Sequence, residues 1–364
     1  MEEPLWVTVP SGAYPVFIGY DLLAKASLFQ QHIRKAACII SHPEIAAHYF
    51  PRLEKALIQA GVKKMTTLLL PSGESHKTLV YAEKIWSYLL TQHYHRDTSI
   101  VALGGGMIGD LAGFSAACYM RGIDVIHCPT SLLAQVDAVI GGKTAVNHPL
   151  GKNMIGVFHQ PKMVLADLST LSTLPQREFI AGIAELIKYG LVLDPAFFAW
   201  LEENLSLLLA RDSKALHHVV ITACRIKAEV VRKDERDTAE RIVLNFGHTI
   251  AHAIENSYDY EKYLHGEAVA MGMMVAMRLS LELGWGELNL LERLISLLTK
   301  AGLPISLPDG ITTAAIFARI RQDKKHSNGQ IGWVLVESLG KARVIEDVPE
   351  STVRAVLEAS GATP

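Results

Sequence analysis

The sequence predicts an α/β protein with a parallel-sheet domain first and a mainly α-helical domain second. Three observations carry this. Short apolar, β-branched runs alternate with amphipathic stretches through the first half of the chain. One of these runs, Ser99–Leu103, leads straight into three glycines. After Thr173 the texture changes and long helical periodicities dominate.

Taken in order, Ala37–Ser41 reads as a strand, and Phe50–Gly61 as a helix that ends on a glycine. Met65–Leu70 is the next strand and Leu79–Thr91 the next helix. Ser99–Leu103, Val125–Cys128 and Met163–Ala166 complete the strand set, and the alternation implies helices on both faces of the sheet. Thr173-Leu174-Pro175 has the form of a helix start, with threonine as cap and proline in the first turn. The domain boundary is placed there, giving domains 1–174 and 175–364. Helical patterns then cover Arg177–Val192, Pro195–Ala210, His217–Asp234, Gly247–Ser257, Gly266–Leu283 and Leu290–Ala301, and Ile331–Glu337 with Ala342–Ile345 form a small hairpin. There is no internal repeat and no low-complexity segment.

A chain of 364 residues is comfortable for two domains. Hydrophobic residues at 49% and charged residues at 20% give a globular composition. With 35 Lys plus Arg against 37 Asp plus Glu, the balance argues against a nucleic-acid surface as the main role and leaves room for local basic pockets. Cys38, Cys118, Cys128 and Cys224 form no CxxC pair and sit among apolar or small residues, the usage of reduced, partly buried thiols in a cytosolic protein. The opening MEEPLWVTVP is not a signal peptide. The longest apolar stretch, Ala268–Trp285, is broken by Arg278 and Glu282 and reads as a buried core helix, not a membrane span. A soluble, cytoplasmic protein without a membrane or nucleic-acid partner is expected.

Gly104, Gly106 and Gly109 form G-x-G-x-x-G between a strand and a helical stretch. Glycine lets the backbone approach a pyrophosphate, and the following helix N-terminus offers N–H groups, so a Rossmann-like dinucleotide site is the functional reading. A tight turn without a ligand is the plain alternative. Asp110 is unusual for the fingerprint and would suit the nicotinamide end or a ribose. Two more loops follow strands: Pro71-Ser72-Gly73-Glu74, with Lys77 and Thr78 behind it, and Pro129-Thr130-Ser131. After the latter come Asp137, Gly141-Gly142-Lys143-Thr144 and Lys152-Asn153. Glycines beside Lys and Thr suit an anionic group, but the P-loop spacing is absent, so a Walker-type hydrolase is excluded.

The second domain carries a metal-like constellation. His248 and His252 are spaced H-x-x-x-H, on one face of a helix. His265 follows, and Glu185 lies on an apolar helix where an unpaired carboxylate is costly. Three ligands from His and Glu with one open position is the pattern of a catalytic zinc site. The alternative is a set of satisfied core histidines with Glu185 paired to Lys188.

Ten strings together resemble the 3-dehydroquinate synthases, within the sugar-phosphate cyclases. They are PSGESHKT (71–78), GGGMIGDLAGF (104–114), YMRG (119–122), PTSLLAQVDAVIGGKTAVN (129–147), GKNMIGVFHQP (151–161), TLPQREFIAGIAELIKYG (173–190), RIKAEVVRKDE (225–235), LNFGHTIAHAIE (244–255), HGEAVAMGM (265–273) and DKKHSNGQI (323–331). They stand in family order. The resemblance implies a Rossmann-like NAD domain, a helical metal domain and a homodimer. It also implies the second step of the shikimate route to chorismate and the aromatic amino acids, in which 3-deoxy-D-arabino-heptulosonate 7-phosphate becomes 3-dehydroquinate and phosphate.

Carried over residue by residue, the resemblance puts the metal, Zn²⁺ or Co²⁺, on Glu185, His248 and His265. It puts NAD on Ser72, Gly73, Glu74, Ser75, His76 and Lys77, on Gly106, Met107, Ile108, Gly109 and Asp110, on Thr130, Ser131, Lys143 and Lys152, and on Thr170, Leu171, Ser172 and Thr173. Substrate contacts fall on Asp137, Lys143, Asn153, Lys188, Lys227, Arg241, Asn245, His252 and the Lys324-Lys325 pair, and Arg121 joins the phosphate pocket from across a dimer. One departure is visible: the family's aspartate for the adenosine ribose is replaced by the stretch Ser41-His42-Pro43-Glu44. The implied chemistry is oxidation of a metal-polarised alcohol by NAD, loss of phosphate, return of the hydride, and ring opening with aldol closure. A phosphorylated sugar acid demands several cations, which Lys152, Lys188, Lys227, Arg241 and Lys325 would supply, although any one of them alone also reads as a surface charge. A related cyclase would keep the NAD and metal motifs but change the carboxylate-binding residues. A metal-dependent alcohol dehydrogenase would release NADH stoichiometrically, and a non-enzymatic binding protein would take up neither NAD nor metal.

Overall fold

The computed structural model describes residues 3–237, 240–258, 261–324 and 332–364. Strands β1 (Leu5–Val9) and β2 (Gly12–Gly19) come first, followed by the short helix α1 (Ala26–Phe29). Then come β3 (Ala36–Ser41), α2 (Pro43–Gln59), β4 (Lys64–Leu69), α3 (Leu79–Thr91), β5 (Thr98–Gly104), α4 (Gly106–Cys118), β6 (Asp124–Pro129), the hairpin strands β7 (Lys143–His148) and β8 (Gly151–Phe158), and β9 (Met163–Asp167). Helices α5 (Gln176–Val192), α6 (Pro195–Leu209), α7 (Ser213–Lys233), α8 (His248–Ser257), α9 (His265–Glu282), α10 (Leu288–Ala301) and α11 (Thr313–Lys324) follow. The hairpin β10 (Trp333–Ser338) and β11 (Lys341–Ile345) and helix α12 (Glu350–Ala359) complete the chain.

The chain divides into two units. The first runs to Pro175 and takes in Leu216–Arg236, and the second comprises Gln176–Ala215 and Asp237–Pro364. The expected division is 1–174 and 175–364; in the structure the leading segment of the first unit ends at Pro175, and Leu216–Arg236 clusters with that segment. Most of α7 packs with the sheet unit. Its apolar face reads the same whichever unit covers it, so periodicity alone does not say which unit it joins.

The first unit is built on a seven-stranded sheet in the order β1-β2-β9-β6-β5-β3-β4, parallel except for β1 against β2. From β3 the chain steps one way to β4 and the other way through β5, β6 and β9. That reversal places a crevice at the carboxyl ends of β3 and β5, where such sheets bind ligands. Successive strand residues feed opposite cores. Ile39, Val101 and Ile126 pack with Leu22, Phe29 and Leu53 on one face, while Cys38, Ile100 and Val125 pack with Ile85, Leu111 and Phe114 on the other.

Strands β1 and β2 go beyond the expectation. Pro15 disguises β2, yet it sits before the pairing with β9 begins at Val16, so its missing N–H costs no bond on that side. Helix α2 starts at Pro43, seven residues before the expected Phe50, and runs through Pro51. Thr173 is not the cap of α5: its hydroxyl bonds Tyr49 Oη and the Thr170 carbonyl, and the helix opens at Gln176. Cys38, Cys128 and Cys224 are free and buried, and Cys118, expected to be partly buried, is exposed.

In the second unit α9 is the central helix, packed by α5, α8, α10 and α12. Two glycines make this close. A Cβ on Gly266 would stand 1.8 Å from the Ala181 carbonyl oxygen of α5, and one on Gly272 2.0 Å from the Gly247 carbonyl at the head of α8. No helix among the described residues is long and apolar enough to cross a membrane.

Candidate active site

In the sheet unit, β5 ends on Gly104 and α4 begins at Gly106, with Gly105 extended as its cap. A Cβ on Gly104 would meet Ile108 at 2.9 Å and one on Gly109 would meet Val139 at 3.0 Å, so these glycines allow the tight turn and the close seating of α4. The Gly109 N–H is already bonded to the Gly105 carbonyl, 3.1 Å away. The N–H groups of Gly106, Met107 and Ile108 belong to the opening turn, which has no intrahelical acceptors, and they suit an anion.

Beside this turn lies a charge cluster. The Lys77 ammonium is buried and stands 2.9 Å from both Glu74 Oε1 and Asp110 Oδ2. Burial alone would lower the Lys77 pKa, but Asp110 and Glu74 outweigh it and hold the ammonium above its ordinary value. Burial would likewise raise Glu74, but Lys77 and Lys152 pull its carboxyl below the usual range. Asn147 ties the cluster to the β7–β8 hairpin, donating to Glu74 Oε1 at 2.9 Å and accepting from the Asn153 N–H at 3.0 Å. Sequence reasoning quoted Asn147 within a motif without giving it a role. Its signal lies in the pairing with a carboxylate 73 positions away, which only the fold supplies.

The remaining sheet-unit candidates fall into two kinds. Ser72 offers its carbonyl to His76 Nδ1 at 2.7 Å, Gly73 has φ 106°, and Ser75 stands in the 3-10 turn Glu74–His76. Lys143 is exposed at the start of β7, Lys152 is half-buried, and Asn153 is left-handed at φ 56°. Arg121 is exposed in a left-handed stretch with Met120. Others are engaged by the fold itself. The Thr130 N–H bonds the Gly104 carbonyl, and Ser131 Oγ accepts from Ala134 N. Thr170 and Ser172 donate to the carbonyls of Asp167 and Ser169, and Leu171 is core. Lys227, expected in the second domain, lies in the sheet unit, where its ammonium bonds both the carbonyl and Oδ1 of Asp137. Two residues expected at the substrate are thus brought together. His42, at the departure from the family pattern, bonds the Leu70 carbonyl at 2.9 Å through Nδ1, and Glu44 is exposed in the first turn of α2.

In the helical unit, Glu185, His248 and His265 converge, each offering one ligand atom within 4.8 Å of the others. Glu185 is fully buried on α5. Its Oε2 faces the Lys188 ammonium as an ion pair, while Oε1 has no hydrogen-bond partner among the described residues and stands 3.8 Å from Nε2 of each histidine. An orphaned, buried carboxylate oxygen is expensive unless something cationic completes it. His248 Nδ1 lies 3.1 Å from the Phe246 carbonyl, which can only accept, so Nδ1 carries the proton and Nε2 presents its lone pair. Burial, then the Lys188 ammonium and His265, hold His248 well below its ordinary pKa, the neutral form a metal needs. The donor set fits a divalent transition metal with an open position. Arg177 at the head of α5 grips Glu267 of α9 through two bonds, 2.7 and 2.8 Å long. Glu267 in turn accepts from the Leu264 N–H at 2.9 Å, which fixes the turn carrying His265.

Around the triad, the His252 ring is edge-on to His248, with centroids 5.6 Å apart. Lys188 is buried on α5 and Arg241 is buried in the 3-10 segment Glu240–Asn245, which ends on Asn245. Asn245 also lines a small pocket with Gly247, Thr249 and Trp333. Lys325 lies outside the described residues, as does the side chain of Lys324.

Family models of the 3-dehydroquinate synthase N-terminal and C-terminal regions match residues 67–181 and 182–326. The 3-dehydroquinate synthase of Halorhodospira halophila is 47% identical, over 97% of this chain and 99% of its own. The chain belongs to the 3-dehydroquinate synthase family. Among solved structures, 2-epi-5-epi-valiolone synthase from Streptomyces hygroscopicus, with NAD⁺ and Zn²⁺ bound, superposes with a TM-score of 0.88 at 27% identity, covering 95% of this chain and 96% of the other. A 2-deoxy-scyllo-inosose synthase complexed with carbaglucose-6-phosphate, NAD⁺ and Co²⁺ gives 0.89 at 26% identity, covering 98% and 100%. The α/β architecture, with a sheet domain and a helical domain, is thus common to this family and related cyclases.

Proposed function

We infer that the protein is a 3-dehydroquinate synthase, converting 3-deoxy-D-arabino-heptulosonate 7-phosphate to 3-dehydroquinate and phosphate. Family membership over nearly the whole chain supplies the reaction. The structural observation that carries it is the orphaned Glu185 oxygen facing two histidine Nε2 atoms. When bound, NAD would accept a hydride from the carbon that bears a substrate hydroxyl and later return it, and Zn²⁺ or Co²⁺ would polarise that hydroxyl so that its proton leaves.

The protein's own residues do the positioning. Glu185, His248 and His265 hold the metal. The 72–77 loop, Gly106–Asp110, Thr130, Ser131, Lys143, Lys152 and the 170–173 segment hold NAD. The Lys77 cluster, in which Lys77 contacts both Glu74 and Asp110, lies beside the glycine turn and suits a hydrogen-bonding end of the cofactor rather than its pyrophosphate. Lys188, Lys227, Arg241 and Lys325 bind the phosphate and carboxylate, Asn153, Asn245 and His252 hydrogen-bond hydroxyls, and Asp137 orients Lys227. Oxidation acidifies the neighbouring C–H. A phosphate oxygen collects that proton as the C–O bond breaks, so no strong protein base is required. The reaction class is a carbon–oxygen lyase. A homodimer, with Arg121 reaching a partner's phosphate pocket, and a cytoplasmic setting rest on the family resemblance.

The test is phosphate release from the heptulosonate phosphate with NAD present, before and after chelation, while absorbance follows NADH. Chelator-sensitive release without net NADH is the expected result. A metal-loaded protein that releases no phosphate overturns the reading and points to another sugar phosphate, and accumulating NADH points to a dehydrogenase.

A further inference from the structure

Two histidines of the triad are held by different partners. His248 Nδ1 faces a backbone carbonyl, but His265 Nδ1 faces the carboxylate of Glu255, 3.2 Å from Oε1. Glu255 is buried, at 3% exposure, on the same face of α8 as His248, two turns further on. Its chain position gives no reason for a carboxylate to be buried there. We propose that Glu255 is a positioning residue for the metal site: it holds His265 in the tautomer that turns Nε2 toward Glu185 and supplies negative charge behind that ligand.

The first part follows from chemistry. A carboxylate only accepts, so the proton sits on Nδ1 and the Nε2 lone pair is left for a metal. The second part follows from where the carboxylate stands: Glu185 shares its Oε2 with the Lys188 ammonium, and Glu255 places a further carboxylate directly behind His265. A carboxylate behind an imidazole also makes the ring a stronger donor than a carbonyl does, so the two histidines are unequal ligands.

The proposal rests on the metal reading above, and its test separates the two. Glu255→Gln keeps an acceptor oxygen for Nδ1–H and removes only the charge, whereas Glu255→Ala removes both. Zn²⁺ and Co²⁺ affinities are measured by chelator competition, the Co²⁺ d–d spectrum is recorded, and melting of the metal-free protein is followed. Affinity is expected to fall about 10-fold in Glu255→Gln and about 100-fold in Glu255→Ala, the range found for partners behind metal ligands. The Co²⁺ bands should shift, while metal-free Glu255→Gln melts close to wild type. A purely structural role predicts the opposite split, with reduced melting and an unchanged Co²⁺ spectrum. If Glu255→Ala does not fold, Glu255→Gln decides alone: affinity within twofold of wild type with the same spectrum overturns the proposal. A wild-type protein that takes up neither metal overturns the metal reading as well.

Discussion

Gly266 is the position where the candidate metal site is most exposed to a single methyl group. In Gly266→Ala the new Cβ would lie 1.8 Å from the Ala181 carbonyl oxygen, against a practical floor of 3.0 Å, so about 1.2 Å must open. Both sides of the contact are helix backbone, so α9 has to move away from α5. His265 is the neighbour of Gly266, and Glu185 lies one turn beyond Ala181. A displacement of that size is several times the roughly 0.2 Å tolerance of metal–ligand distances. Overpacking of this kind costs about 1–3 kcal/mol, which at about 2–4 °C per kcal/mol lowers the melting temperature by about 2–12 °C. The assay is Co²⁺ titration with melting of metal-free and loaded protein. At least a tenfold loss of affinity is expected, together with a smaller gain in melting temperature on loading. Gly156→Ala serves as the control. It creates a similar clash, 2.6 Å from the Thr144 carbonyl, in the hairpin of the other unit. It should destabilise the protein and leave metal affinity within twofold. Wild-type affinity in Gly266→Ala, or an equal loss in Gly156→Ala, would refute the idea that the α5–α9 contact sets the ligand spacing.

Two further predictions concern the sheet unit. His127 on β6 is buried behind α4 with no hydrogen-bond partner for Nδ1 among the described residues, and burial and then His159 lower its pKa from 6.5 to about 4. The unfolded chain therefore takes up this proton first as pH falls, and stability declines from about pH 6.5 down to about pH 4, by a total of about 3 kcal/mol. His127→Gln should flatten the melting-temperature profile over that window, and an unchanged slope counts against the assignment. Lys77→Met removes the buried cation that contacts both Glu74 and Asp110 and leaves Lys152 to offset them. Losing one partner of a buried pair costs about 3–5 kcal/mol, and less here because both carboxylates are partly exposed. NAD affinity should fall at least tenfold by calorimetry, with part of the lost stability returned by adding Glu74→Gln; unchanged NAD binding would remove the cluster from the cofactor site.

The parts of the fold legible in the sequence are those where one residue pattern has one structural outcome. Strands β3, β5, β6 and β9 are short, apolar on both faces and bounded by polar or glycine residues, as buried parallel strands must be. Helix α3 begins and ends where its periodicity does. Strand β8 is the reverse case: it is largely exposed on both faces, so no alternation marks it, and only its pairing with β7 makes it a strand. Helix α12 does carry apolar residues at helical spacing, Val353, Val356 and Leu357, but over barely three turns that signal is weak. Helix α7 shows the limit of periodicity most clearly. Its pattern marks a buried face correctly, yet what covers that face is a tertiary fact.

The same limit governs the site. Glu185 is conspicuous because a carboxylate in an apolar helix needs a reason, and His248 because H-x-x-x-H presents one face. Glu255 passes unnoticed because a glutamate near the end of an amphipathic helix ordinarily faces water, and its meeting with His265 depends on α8 packing against α9. Overall charge hides the cations for a related reason. Lys77 is buried against Glu74 and Asp110, Lys188 against Glu185, and Lys227 against Asp137, so each buried ammonium comes with its own carboxylate. Burial imposes that pairing, because an unpaired charge in the interior is too costly. A formal charge of −2 is therefore compatible with a site for a substrate that carries both a phosphate and a carboxylate. A near-zero balance argues against a broad basic surface, but it says nothing against cations that the fold must neutralise in order to bury them.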